Sequence, residues 1–272
     1  MRISREERKN TARELIRFLE ESPTCFHAVK NLARELEAAG FEELKENEVW
    51  NLSEHKNYYV TRNQSSIIAF RLPSKEFKGY QIMASHSDSP TFKIKENPEM
   101  EAEKQYIKLN VEKYGGMLCA PWFDRPLSVA GRLVVREGER LVTKLVNADR
   151  DLLMIPNLAI HMNREVNDGY KYNAQVDMLP LYGTMEAKGT FMKTMAEEAG
   201  VKEEDILGHD LFLYNRMPGT IWGAEDDFVS CGRLDDLQCA FASLKGILAG
   251  GHPSSVSVMA VLDNEEVGSG TK

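Results

Sequence analysis

The apolar positions of this chain begin at helical spacing and then turn to alternation. Ala12, Leu15, Ile16 and Leu19 recur at helical intervals until Ser22-Pro23 halts the pattern. Thr24 suits the N-cap of a second helix, whose stripe is Phe26, Val29, Ala33 and Leu36 and whose end Gly40 marks. His27 falls in the first turn of that helix and reads as a packing residue. Short β-rich runs follow at 58–60, 66–70 and 80–84, and the last leads straight into Ser85-His-Ser-Asp-Ser-Pro90.

The character changes from about residue 92 to 221. Ile107, Leu109 and Val111 alternate with polar residues, as in a half-exposed antiparallel strand. The runs 127–135 and 141–146 flank Glu137-Gly-Glu139, which predicts a hairpin, and Met192, Met195, Ala196 and Ala199 predict a helix closed by Gly200. The α/β pattern then returns: Leu237, Phe241, Leu244 and Leu248 form a helical stripe, Gly250-Gly251 and Pro253 break it, and 258–262 reads as a buried strand. These runs predict an α/β domain interrupted by a mostly β (α+β) insertion, with boundaries at 1–92, 93–221 and 222–272. No internal repeat or low-complexity linker breaks the chain.

Composition narrows the partners more than the fold. The 272 residues, 42% of them hydrophobic, suffice for two structural units. A formal charge of −8 argues against nucleic acid or an anionic membrane as partner. No apolar run is long enough to cross a bilayer, and the charged first residues do not form the apolar centre of a secretory signal. Cys25, Cys119, Cys231 and Cys239 are scattered without C-x-x-C spacing, as expected of reduced thiols in a cytoplasmic protein.

The chemistry collects where strands are predicted to end. In open α/β sheets, ligands bind beyond the carboxyl ends of strands. The strand at 258–262 runs into Glu265-Glu266, whose charges repel unless a cation sits beside them. One glutamate can ligate such an ion while its neighbour takes a proton from the water it activates. The strand at 80–84 runs into His86 and Asp88, a nitrogen donor and a carboxylate that can orient it. Asp235 precedes the helical stripe, where a capping carboxylate is the ordinary reading. Each signal has a bland explanation: an acidic turn, an isolated H-x-D, a helix cap. Together they supply the N and O donors that zinc, cobalt or manganese accept in a two-metal hydrolase.

The runs Ala84-Ser-His-Ser-Asp-Ser-Pro90, Trp122-Phe-Asp-Arg-Pro-Leu127, Ala159-Ile-His161, Gly232-Arg-Leu-Asp-Asp-Leu237 and Asp263-Asn-Glu-Glu-Val-Gly-Ser269, in that order, resemble the aspartyl aminopeptidase family of co-catalytic metallo-aminopeptidases. Ser22-Pro-Thr24 with His27 also fits the family's N-terminal helix. The resemblance implies a mixed-sheet peptidase domain with helices on both faces, interrupted by a dimerisation domain and assembled into a homo-oligomeric dodecamer of dimers. It implies two divalent ions, zinc first and cobalt or manganese as substitutes, and peptide substrates, with an acidic first residue preferred in some members. It makes His86 and Glu266 terminal metal ligands, Asp235 the bridging carboxylate, Glu265 the general base and Asp88 the group that orients His86. His161 would reach a neighbouring subunit's site and stabilise the reacting carbonyl, a role implied by the resemblance alone. The family carries two further ligands, an Asp and a His, after the glycine turn, whereas this sequence ends at Lys272. The chain is therefore expected to be the N-terminal piece of a longer aminopeptidase. A metal-dependent deacylase or carboxypeptidase of related chemistry, and a non-catalytic oligomerisation or binding fragment, stand as alternatives.

Overall fold

The computed structural model describes residues 4–268. Two compact units account for the chain: the residues up to Ser89 together with those from Pro218 onward, and Pro90–Met217 between them.

The first unit opens with helix α1 (Arg5–Glu20), started by a capping box in which Ser4 and Glu7 satisfy each other's exposed amides. Helix α2 (Cys25–Ala38) follows, with Thr24 at its N-cap position. The Thr24 hydroxyl does not cap the helix backbone; it meets His27 Nδ1 at 2.8 Å. Gly40, at φ 82°, closes α2 as its amide and that of Phe41 return to the carbonyls of Glu37 and Leu36. Strands β1 (Glu42–Leu44), β2 (Lys56–Arg62), β3 (Ser66–Leu72) and β4 (Tyr80–His86) complete the first half of this unit.

The second unit holds β5 (Thr91–Ala102), β6 (Tyr106–Tyr114), the hairpin β7 (Leu127–Glu137) and β8 (Arg140–Asn147), the short α3 (Val166–Gly169), β9 (Leu181–Thr184), α4 (Phe191–Ala199) and β10 (Ile206–Asn215). Six of these strands form one sheet in the order β8-β7-β10-β5-β6-β9, antiparallel throughout. Its core gathers Phe92, Ile94, Leu109, Val111, Leu133 and Leu213 against Phe191 and Met195 of α4. Gly131 is obligatory here, since a Cβ would stand 2.0 Å from the Asp210 carbonyl oxygen on the neighbouring strand.

The chain returns to the first unit through a small ribbon, β11 (Thr220–Trp222) with β12 (Phe228–Ser230), then helix α5 (Leu234–Ala249) and strand β13 (Val256–Leu262). The sheet runs β1-β2-β3-β13-β4, with β13 parallel to β4 and antiparallel to β3. One face of it, formed by Tyr59, Ile67, Ala69, Met259 and Val261, is buried under Leu19 of α1, Leu32 and Leu36 of α2, and Leu244 and Ile247 of α5. Among the described residues all three helices of this unit pack into that one core. The opposite face leaves Ile68, Tyr80, Ile82 and Leu262 exposed, so the helical layer expected on the second face has no counterpart among the described residues. What the sheet does settle is placement. Parallel β4 and β13 deliver His86 and the turn after Leu262 to the same edge, in register.

Candidate metal centre

His86 is the last residue of β4 and pairs across the ladder with Leu262, the last residue of β13. Strand amides alternate sides. Ser87 N–H donates to Leu262 O at 2.8 Å, so His86 N–H points away from β13 and donates instead to Asp236 Oδ2 at 3.2 Å. Beyond Leu262, Asp263 N–H is held by Ser66 Oγ (2.9 Å), Asn264 takes a left-handed φ of 67°, and Glu265–Val267 form one 3-10 turn. That turn lifts both glutamates towards the imidazole.

Asp88 organises what they face. It is only 3% exposed. Its Oδ1 lies 3.2 Å from His86 Nδ1, its carbonyl oxygen 3.0 Å from the same nitrogen, and its Oδ2 accepts Glu266 N–H at 3.1 Å. The Asp88 carbonyl and the nearby carboxylate favour a proton on Nδ1, the tautomer in which a neutral imidazole offers Nε2 as the ligating nitrogen on the side of the other carboxylates. Asp235 Oδ1 lies 3.3 Å from Nε2 and Glu265 Oε2 lies 3.8 Å from it. Donor atoms of His86, Glu265 and Glu266 all fall within 4.8 Å of one another.

Burial disfavours the His86 imidazolium, yet Asp88, Asp236 and Glu265 outweigh burial and raise its pKa. Burial raises the pKa of Glu266, and the anions Asp88, Glu265 and Asp235 add to the rise against the pull of His86. Crowded carboxylates around one outward-facing imidazole nitrogen form a hard and borderline donor set, which fits a divalent cation such as zinc.

The residues expected from the sequence divide in two. His86, Asp88, Asp235, Glu265 and Glu266 come together at the sheet edge. Asp235 joins by its contact with His86, while the tightest donor triad is His86, Glu265 and Glu266. The Asp235 carboxylate faces the His86 ring, and its backbone leaves helical geometry at φ −88°, ψ 114°, in a kink at the start of α5. His161 belongs to the other unit, in an exposed turn at 160–162. Two residues before the Ala159-Ile-His161 run, Asn157 N–H donates to Asp124 Oδ1 at 2.9 Å. Asp236 is the site residue that reasoning from sequence misses. Its signal is present as the second of two adjacent aspartates, but a carboxylate that acts on a backbone amide leaves no spacing to read.

A family model described as aminopeptidase I zinc metalloprotease (M18) matches residues 18–272. The chain belongs to that M18 family. Among its relatives is a probable M18 family aminopeptidase 2 of Clostridium novyi (strain NT), 47% identical over 270 residues that make up 96% of this chain and 62% of the relative. Another of the same description, from Pseudomonas fluorescens (strain SBW25), is 39% identical over 94% of this chain and 61% of its own length. Among solved structures, a chain of the Ape4 and Nbr1 complex superposes with a TM-score of 0.93 at 32% identity, over all of this chain and 58% of that one. The S. cerevisiae mApe1 dodecamer gives a TM-score of 0.82 at 27% identity, over 97% of this chain and 63% of its own. This M18 chain thus spans less than two thirds of the length of the relatives it matches.

Proposed function

We propose that the complete protein carrying this sequence is a metallo-aminopeptidase, cytoplasmic and homo-oligomeric, that removes the first residue of peptides with two divalent ions. The observation that carries the reading is the commitment of His86 Nδ1 to the buried Asp88, which leaves Nε2 facing Asp235 and Glu265 at 3.3 and 3.8 Å. A divalent cation at Nε2 would be attracted by every carboxylate that faces it. His86 and Glu266 would act as terminal ligands and Asp235, with two carboxylate oxygens, as the bridge. Three donors do not fill two sites, so the reading includes the Asp and the His that the family resemblance implies in the part of the relatives this chain does not match. Zinc, the metal in the family's description, is the resident ion proposed, with cobalt or manganese as substitutes.

When bound, the ions supply the positive charge that acidifies a water and polarises the scissile carbonyl. The chain does the rest. Glu265, largely exposed at the rim of the cluster, takes the proton of the attacking water and passes it to the leaving amine, help worth ~10²–10⁴-fold. Asp88 keeps the imidazole in one tautomer. The second unit would serve as the dimerisation domain of a dodecamer, the assembly in which the S. cerevisiae relative mApe1 was solved. His161, on its exposed turn, would stabilise the reacting carbonyl in a neighbouring subunit.

Glu265→Gln in the complete protein tests the reading directly. Turnover should fall by about 10²-fold or more while zinc content holds near normal, since the amide can still neighbour the site but cannot accept the proton. Wild-type turnover in that variant would remove Glu265 from the mechanism. Free against N-acetylated peptides separates an aminopeptidase from a deacylase or carboxypeptidase, and aspartyl against leucyl peptides tests the proposed preference for an acidic first residue.

A further inference from the structure

Asp235 and His86 are about 150 residues apart in sequence, and their meeting depends on how the kinked start of α5 is fastened to the end of β4. The fastening is specific. β4 is an edge strand among the described residues, so the His86 amide that faces away from β13 has no ladder partner, and the Asp236 carboxylate takes it at 3.2 Å. An edge amide left to water would allow the strand end to fray. Three residues further along, Ser89 Oγ donates to the Asp235 carbonyl at 3.2 Å, a second clasp between the same two segments. One carboxylate thus joins the backbone of the histidine to the residue next to the aspartate that faces its ring.

We infer that Asp236 is a positioning residue of the metal centre: it locks the His86 backbone against the start of α5 so that Nε2 and the Asp235 carboxylate converge on one cation. This rests on the reading of the cluster as a metal centre. In this role Asp236 acts through His86 and Asp235, as outer partners of ligands do.

The test is zinc affinity of the complete protein after metal has been stripped, measured with zinc alone by chelator competition. Asp236→Ala should weaken zinc binding by roughly 10–100-fold. Asp236→Asn retains an oxygen that accepts the His86 amide and should recover most of that loss, a rescue that a purely structural role would not single out. Hydrogen exchange at the His86 amide gives a second readout: protected in the wild type and in Asp236→Asn, fast in Asp236→Ala. Unchanged zinc affinity in Asp236→Ala overturns the inference. If Asp236→Ala does not fold, Asp236→Asn decides alone: near-normal affinity with a protected His86 amide upholds it, and a large loss with an unprotected amide overturns it. His86→Ala and Glu266→Ala serve as controls. If they keep wild-type affinity, the metal-centre reading itself falls; if they lose zinc while Asp236→Ala keeps it, only the role of Asp236 falls.

Discussion

Asp88 shows how one buried side chain can set the chemistry of its neighbours. Its two carboxylate oxygens are divided between His86 Nδ1 and the Glu266 amide, so it fixes a ring and a turn together. Removing it should therefore disturb both ligands at once. Asp88→Ala leaves the Glu266 amide without that acceptor and the His86 ring with only the backbone oxygen to hold its tautomer. The expected result is a loss of zinc affinity of roughly 10–100-fold, read by titration of the metal-free protein. An Asp88→Ala variant that binds zinc like the wild type would show that the orientation of His86 does not depend on this carboxylate. At this scale the sequence is legible wherever a functional side chain stands at a strand end next to others of its kind. His86 with Asp88 and Glu265 with Glu266 announce themselves by position and chemistry. Asp236 and Ser89 do not, because what they hold is backbone, and the backbone is the same at every residue.

Whole elements are legible for a different reason: burial imposes a period on the sequence. The stripe of α2 buries Phe26, Val29 and Leu36, that of α5 buries Leu237, Phe241 and Leu244, and the alternation in β6 buries Ile107, Leu109 and Val111, while of the α1 stripe only Leu19 is fully buried. Strand β5 gives no such signal because Lys95 to Glu99 is polar and contains Pro98, and its pairing with β6 slips between Ile94 and Glu99. The β11–β12 ribbon and β9 are too short to show a period. Helix α2 carries a consequence for pH. Burial lowers the pKa of His27 to about 4, with Lys30 and Arg233 adding to the effect, while the Thr24 hydroxyl contacts its Nδ1. A folded-state pKa below the unfolded value means the unfolded chain binds the extra proton. The contribution is present above about pH 6.5 and is lost as the pH falls towards 4, a change on the order of 3 kcal/mol. His27→Gln, which cannot titrate, should flatten the stability profile in that window relative to the wild type. Parallel acid limbs for the two proteins in denaturant titrations would show that His27 takes no part.

For the molecule as a whole, both units leave apolar side chains exposed, Leu118, Leu141 and Met162 in one and Tyr80 and Ile82 in the other, and what sets them apart among the described residues is the carboxylate cluster around His86. The unit spanning Pro90–Met217 closes its own core, with Phe92, Leu109, Leu127, Leu133, Phe191 and Leu211 fully buried. The other unit leaves apolar Tyr80 and Ile82 exposed on its edge strand and gathers carboxylates around His86, two features that cost stability. A bound cation relieves the second. Any ligand that binds only the folded state stabilises it, by about 2.7 kcal/mol at a free concentration one hundred times the dissociation constant. Zinc should therefore raise the unfolding midpoint of the metal-free complete protein in a concentration-dependent way, and a chelator should reverse the rise. The donors this chain supplies come from the ends of β4 and β13 and the start of α5, so the shift should appear in the transition of the unit that holds them and fall sharply in His86→Ala. A midpoint indifferent to zinc, or a shift that persists in full without the imidazole, would mean that these side chains converge without forming a metal centre.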